Sequence, residues 1–426
     1  MNTMHTGPEI SADDLSRNRV IRCLWISRDL PFPLDAGDKV YSYNMSRALC
    51  EAGVQVLFFG FGSETSGMAD DWPVEARAVG GSKHGKLRGL FSRLPLASAI
   101  HDTAAYRHVL DAQLKQPWDV IVLDSYGSGW ALEACVKARL ENSGKRPALV
   151  YLSHNHEENL WRSMVRDSKV TPLKKAVLWL NYRKVRALER RLLENVDLIT
   201  AITGEDAQAY AGYANGKTTI VLTPGYSGWI APEHEIDVSG PCRVVLVGSF
   251  RWAVKQENLR RFLEVADKRF MQQGVRLDVI GDVPRALLNE LRPLTGATEF
   301  HGFVDDVSPF FNSARMAVVP EFIGGGFKLK YLDYIFGRVP VVSISASAAG
   351  LPDSIRRNIL CREDLKQLVD AIVEFAGNPG QLNRMQKQAF AEARTLFQWR
   401  DRGVQFKQAL DRLPDFQSNQ IARAHS

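Results

Sequence analysis

The feature that most constrains the fold of this chain is a rhythm that runs through it twice: short runs of Val, Ile and Leu, each followed by a longer stretch with helical spacing. Runs at residues 20–27, 54–60, 119–124, 148–152, 197–203 and 218–222 are mostly continuous apolar residues rather than alternating, as a strand buried on both faces requires. After a connector containing Gly and Pro, residues 226–242, the rhythm restarts with runs at 243–249, 275–280, 316–320 and 339–344. Buried strands separated by amphipathic helices predict a parallel sheet covered on both sides, and the restart predicts two such α/β domains, at 19–225 and 243–394. Residues 1–18, polar and without the layout of a signal peptide, read as a disordered lead-in, and 414–426 as a tail.

With 426 residues and 45% hydrophobic composition, the chain can bury two cores, and two domains imply a cleft. Lys and Arg exceed Asp and Glu by 54 to 48. That excess suits phosphate-bearing ligands or an anionic surface, but it is too small for a nucleic-acid binder, and no zinc-finger or RRM signature supports one. The five cysteines, Cys23, Cys50, Cys135, Cys242 and Cys361, are odd in number and scattered, which predicts packing residues rather than disulfides or a zinc site. No apolar run approaches the roughly 18 residues of a membrane span. A cytoplasmic protein is expected, with any membrane contact peripheral.

Ligands of open parallel sheets bind beyond the carboxyl ends of the strands, so the loops there are where chemistry is expected. Those at 28–38, 153–158, 250–258 and 321–330 carry unusual residues. Residues 320–333 read Pro-Glu-Phe-Ile-Gly-Gly-Gly-Phe-Lys-Leu-Lys-Tyr-Leu-Asp, a strand end, a glycine loop and a helix start. Gly324, Gly325 and Gly326 permit positive φ and close backbone approach, so amide N–H groups at the helix N-terminus can face a pyrophosphate. Lys328 and Lys330 add charge, and Asp333, placed about two turns into the helix, is positioned to reach ribose hydroxyls. The glycines alone fit a tight strand-to-helix turn equally well.

These residues resemble the retaining GT-B glycosyltransferases of family 4, in the branch with Gly-Gly-Gly-x-[Arg/Lys]-Leu-Lys-x-Leu-Glu followed by Gly-x-Pro-Val-Val; residues 337–342 here read Gly-Arg-Val-Pro-Val-Val, with one residue more between Gly and Pro. The resemblance implies two Rossmann-like domains facing across a cleft and hexosyl transfer from a nucleotide-sugar donor held mainly by the C-terminal domain. Gly325 takes the first position of the family's Glu-x7-Glu pair, and Asp333 the second, beside the ribose. Lys330 matches the lysine near the donor phosphates. Residues 153–158, Ser-His-Asn-His-Glu-Glu, resemble the His-Asn-x-Glu element, which implies His154 beside the donor sugar with Glu157 as its orienting partner. The loop at 31–38, leading into a helix from about Tyr41, resembles the family's first loop, with Gly37 close to the sugar or leaving phosphate. In residues 247–258, Lys255 falls at the position of a phosphate-binding lysine. Ser249 stands where arginine is commoner, which leaves that charge either to Arg251 or to Lys255, Lys330 and backbone amides. Residues 395–413, with Phe397 and Trp399, resemble the terminal segment that crosses back onto the first domain. No metal or other cofactor is implied, since His154 and His156 lack a third ligand nearby.

Plainer readings stand beside these. His154 and Asn155 can simply brace their own loop, and Arg251 and Lys255 can be surface charges. Residues 161–191 carry ten Lys and Arg interleaved with Val177, Leu178, Trp179 and Leu180. They read either as a domain helix with solvated cations or as a peripheral contact with an anionic membrane, which suits a lipid-linked acceptor. A GT-B epimerase and a non-catalytic GT-B scaffold are the competing functional readings, the latter suggested by Gly325, Ser249 and Asp333. A dinucleotide oxidoreductase lacks its Gly-x-Gly-x-x-Gly after the first strand.

Overall fold

The computed structural model describes residues 20–62, 72–85, 87–141, 146–168, 170–213, 216–322 and 326–414. The expected lead-in at 1–18 and residues 415–426 of the expected tail lie outside these. Two wholly parallel sheets form the frame. The first contains β1 (Ile21–Asp29), β2 (Val54–Phe61), β3 (Glu75–Val79), β4 (Val120–Asp124), β5 (Ala148–Leu152), β6 (Leu198–Ala201) and β7 (Thr218–Val221), in the order β3-β2-β1-β4-β5-β6-β7. The second contains β8 (Cys242–Val247), β9 (Val275–Ile280), β10 (Thr298–Gly302), β11 (Met316–Val319), β12 (Val341–Ile344) and β13 (Leu360–Arg362), in the order β10-β9-β8-β11-β12-β13.

The continuous apolar runs follow from burial on both faces. In β1, Cys23 and Trp25 point into one core with Tyr41 and Met45, while Leu24 and Ile26 point into another with Tyr106 and Leu192. In β8, Val244 and Leu246 pack with Phe262 and Phe270, and Val245 packs with Tyr331 and Phe336 on the other side. The strands that the apolar runs did not mark are β3, β10 and β13, each at the edge of its sheet. Edge strands are covered less, and the sequences EARAV, TEFHG and LCR keep half-exposed residues that break the apolar signal. All five cysteines are free, three of them buried and Cys50 and Cys361 half-buried.

The helices that position the site are α1 (Gly37–Glu51), α2 (Glu157–Asp167), α3 (Pro172–Asn195), α4 (Gly204–Ala211), α5 (Ala253–Gln272), α6 (Lys330–Phe336), α7 (Pro379–Leu396) and α8 (Trp399–Asp411). The last helix belongs to the first core: Phe406 and Leu410 of α8 pack with Tyr41 and Leu49 of α1. The two helices approach so closely that a Cβ on Gly403 would lie 2.0 Å from the Ala48 carbonyl oxygen. In both sheets the strand order reverses about the first strand, between β1 and β4 and between β8 and β11. The crevices left there are where such sheets bind ligands.

Candidate active site

The reversal between β1 and β4 places three loops around one polar pocket, whose walls include Ser27, Arg28, Ser42, Asp124, Ser125 and His154. Asp124 ends β4 and is fully buried; its Oδ1 lies 2.7 Å from His154 Nε2, a close pair whose N–H direction falls outside hydrogen-bond geometry. The other oxygen, Oδ2, accepts from the Trp25 indole N–H at 2.9 Å. Burial works to raise the Asp124 carboxyl, but the His154 imidazole beside it prevails and holds it below the ordinary range. Ser125, the next residue, takes φ +62, in the left-handed region where a side chain costs about 1–3 kcal/mol. Tyr41 meets the His154 ring edge-on at 5.3 Å between centroids, and Trp399 of α8 meets Tyr41 in turn at 5.7 Å.

The carboxylate beside His154 is therefore Asp124 and not the expected Glu157. Glu157 is the first residue of α2, and its side chain turns the other way, to accept from Asn155 Nδ2 at 3.5 Å next to a second buried carboxyl, Glu189. Glu189 accepts from the backbone N–H groups of Glu157 at 2.9 Å and Glu158 at 2.7 Å, so it caps α2, and it also takes the Tyr210 hydroxyl at 3.0 Å. Burial, then the proximity of Glu189, pushes Glu157 up to about 8. Asp124 escaped the sequence reading because it ends an apolar run, separated by 30 residues from the histidine it meets. Its signal was there all the same, as a charged residue at the carboxyl end of a central strand.

In the second lobe, Lys255 of α5, Lys328 and Lys330 converge on one buried carboxylate, Glu321. Lys330 Nζ lies 2.7 Å from Glu321 Oε1, and Gly248, just past β8, leaves it room: a Cβ there would come within 3.3 Å of the ammonium. Burial opposes ionisation of Glu321, yet Lys330, Lys328 and Lys255 together bring it down to about 2. Burial pulls Lys255 and Lys328 below the ordinary lysine value. With Lys330 paired to the one carboxylate and Lys255 and Lys328 acting on it from farther off, the cluster keeps an excess of positive charge in a sheltered place. Glu321 was overlooked as the residue that gathers the lysines.

Other expected site residues fall in altered positions. Helix α1 begins at Gly37 rather than near Tyr41, because Ala36 is the last extended residue, and so Gly37 contributes a helix N-terminus to the pocket rim. Asp333 lies in the first turn of α6, since that helix begins at Lys330 rather than at the glycines. It is half-buried, desolvation raises it to about 6, and the Tyr226 hydroxyl beside it works the other way. Arg251 is exposed and pairs with Asp282 instead of joining the lysines. Gly324 and Gly325 lie outside the described residues. Among those described, the group with metal-ligand geometry is Asp278, Glu299 and His301 on β9 and β10, and Arg243 occupies both Asp278 oxygens at 2.9 Å.

The two lobes meet at these residues. A Cβ on Gly326, which has φ +71, would lie 2.1 Å from Asn155 Oδ1; one on Gly350 would lie 2.9 Å from Thr203 Cγ2; and one on Gly37 would lie 3.4 Å from Leu329 Cδ1. The glycine-loop end, the His154 loop and the start of α1 thus share one interface. Two facing parallel sheets, with a cationic cluster on one side of the cleft and a buried Asp–His pair on the other, define a protein of the GT-B class.

Comparison with known proteins agrees. Residues 37–224 match the family model described as Glycosyltransferase Family 4, and residues 241–378 match that described as Glycosyl transferases group 1, so both lobes are covered. The chain is a glycosyltransferase, each of its lobes matching a glycosyltransferase family model. Sucrose-phosphate synthase from Thermosynechococcus elongatus superposes with a TM-score of 0.66 at 16% identity, covering 91% of this chain and 98% of that one. Anabaena HepE, solved with UDP and glucose, superposes at 0.60 with 15% identity over 92% and 99% of the two chains. WaaG, a glycosyltransferase involved in lipopolysaccharide biosynthesis, gives 0.58 at 15% over 92% and 99%. No curated protein matches by sequence.

Proposed function

We propose that the protein transfers a hexose from a nucleoside-diphosphate sugar to a hydroxyl of a glycan or lipid-linked acceptor, with retention of anomeric configuration. The observation that carries this reading is the convergence of Lys255, Lys328 and Lys330 on Glu321, opposite the Asp124–His154 pair. As the bond from sugar to diphosphate breaks, negative charge grows on the leaving group, and fixed cations in a sheltered site stabilise it directly. HepE holds UDP and glucose, a donor of this chemistry. In this reading Asp333 takes the ribose, Gly37 and the glycine loop approach the phosphates and sugar with backbone, and His154 lies beside the sugar. The lysines carry the phosphate charge without a divalent metal. Acceptor attack comes from the same face as departure, with the leaving phosphate accepting the hydroxyl proton. The likeness to WaaG and the basic segment at 161–191 favour cell-surface polysaccharide or glycolipid assembly.

The test is calorimetry and thermal shift of the protein with UDP, GDP, their sugars and NAD. One nucleoside diphosphate binds and raises the midpoint by mass action. Lys330→Ala weakens that binding by about 10- to 100-fold, and Asp333→Ala weakens it too. Binding of NAD alone, or unchanged binding by both variants, overturns the assignment. The anomeric configuration of the product, read by NMR, decides retention.

A further inference from the structure

In the folded protein the basic segment at 161–191 is not one surface. Arg162, Arg186 and Arg190 converge on the buried Glu158, Arg191 pairs with Glu133, Arg166 with Asp167, and Lys184 donates to the carbonyls of Gly89 and Leu90. Those cations hold α2, α3 and their neighbours together. What remains is the first part of α3, and it does something a domain helix does not. From Pro172 to Leu180 it is exposed on nearly every side, with Leu173, Val177, Trp179 and Leu180 in solvent. Such a helix end gains nothing from water, and large exposed apolar patches mark contact sites.

A second element adjoins it. The short helix Arg88–Phe91 packs on α3 where Lys184 holds the Gly89 and Leu90 carbonyls, and Leu96 N–H donates to Asn181 Oδ1 at 2.8 Å. Leu173, Val177, Leu180 and Lys184 follow the helical spacing of one face, so the apolar stripe of α3 runs towards this element. Phe91 is 89% exposed and Leu87 71%, and both belong to the same region. The charge around the patch has one sign. No Asp or Glu occurs from residue 84 to 101 or from 168 to 188. Arg88, Arg93, Lys174 and Lys175 have no acidic partner among the described residues.

We propose that the tip of α3 and the 87–93 segment together form a docking surface for an anionic lipid bilayer. Phe91, Leu87, Leu173 and Trp179 enter the boundary between headgroups and acyl chains, and the four cations meet lipid phosphates. Apolar side chains beside unpaired cations, on a chain with no helix fit to cross a membrane among the described residues, match a surface that lies on a bilayer. The patch leads to the acceptor side of the cleft, because α2, packed along α3, begins directly after the His154 loop. This deepens the lipid-linked acceptor reading but is tested apart from it.

The experiment is co-sedimentation of the full chain with vesicles of phosphatidylcholine, with and without phosphatidylglycerol. The protein pellets with the mixed vesicles and not with the neutral ones, and added salt weakens it. The double variant Lys174→Glu, Lys175→Glu binds about tenfold or more weakly, as does the pair Phe91→Ser, Leu173→Ser. All of these positions are exposed, so thermal midpoints and nucleotide binding in solution stay at the native values. Equal pelleting with neutral and anionic vesicles, or native binding by both double variants, overturns the proposal. So does self-association abolished by Leu173→Ser without vesicle binding, which would assign the face to a second copy of the chain. Failure here with intact nucleotide binding leaves the catalytic reading standing, and the reverse result leaves the docking surface standing.

Discussion

Gly326 and Asn155 touch across the cleft with no room for a side chain: a Cβ on the glycine would sit 2.1 Å from the amide oxygen of the asparagine. One residue closes the glycine loop of the second lobe, and the other follows His154 in the first. The contact therefore sets how near the lysine cluster comes to the Asp124–His154 pair. Gly326→Ala forces a separation and also places a side chain at φ +71, a cost of about 1–2 kcal/mol. We expect kcat/KM to fall about tenfold or more, with a larger radius of gyration in solution scattering. Asn155→Gly in the same chain recovers part of the loss, which a loop that was merely strained would not show.

Glu321 predicts an acid limb of stability. Its carboxyl is held at about 2 against an ordinary value of 4.5. A depressed carboxyl stabilises fully above the unfolded value, and the contribution is lost as pH falls towards 2. By linkage it contributes about 3 kcal/mol at neutral pH. Glu321→Gln leaves three lysines without a counter-charge, so chemical denaturation at pH 7 shows a loss near that size, and the difference from wild type shrinks as the pH drops below 4. A bound nucleoside diphosphate recovers more stability in the variant than in wild type.

The buried pair of Glu157 and Glu189 predicts the opposite slope. Glu157, raised to about 8, keeps a proton that the unfolded chain releases near 4.5, so its contribution is full below 4.5 and disappears as pH rises through 8. Glu157→Gln keeps the hydrogen-bonding shape without the charge. Its thermal midpoint advantage over wild type grows from pH 5 to pH 8, reaching about 4 °C or more. A constant offset across that range would show that the carboxyl is ionised throughout.

Asp124 and Trp399 predict kinetic effects of different size. Asp124→Asn removes the charge beside His154, and kcat falls about 100-fold while the donor KM changes little. Trp399 reaches His154 only through the ring of Tyr41, which stands between them, so it is a positioning residue. Trp399→Ala lowers kcat by roughly 5- to 10-fold, the size expected when one edge-on aromatic pair is removed, and Trp399→Phe restores most of it. If Trp399→Ala instead changes only the thermal midpoint, the aromatic chain is structural.

The central strands were legible from the chain because burial on both faces leaves a mark that needs no partner to read: a run such as residues 120–124, Val-Ile-Val-Leu-Asp, is apolar whatever packs on it. The charge carried by Lys328 and Lys330 was legible for a related reason, since it is local to one short segment. The edge strands β3, β10 and β13 were not, because a half-covered strand has no fixed pattern, although the edge strand β7 kept an apolar run. Nor was the Asp124–His154 pair, nor Glu321 as the centre of three lysines, because sheet order and register decide which strand ends become neighbours, and side-chain spacing along the chain carries no record of it. The basic segment at 161–191 shows the division most clearly. Its composition determined that cations and apolar residues lie together; the packing of α2 against α3 decided which cations are consumed by Glu158 and which still face the solvent, since a charge is free only where the fold leaves it without a partner.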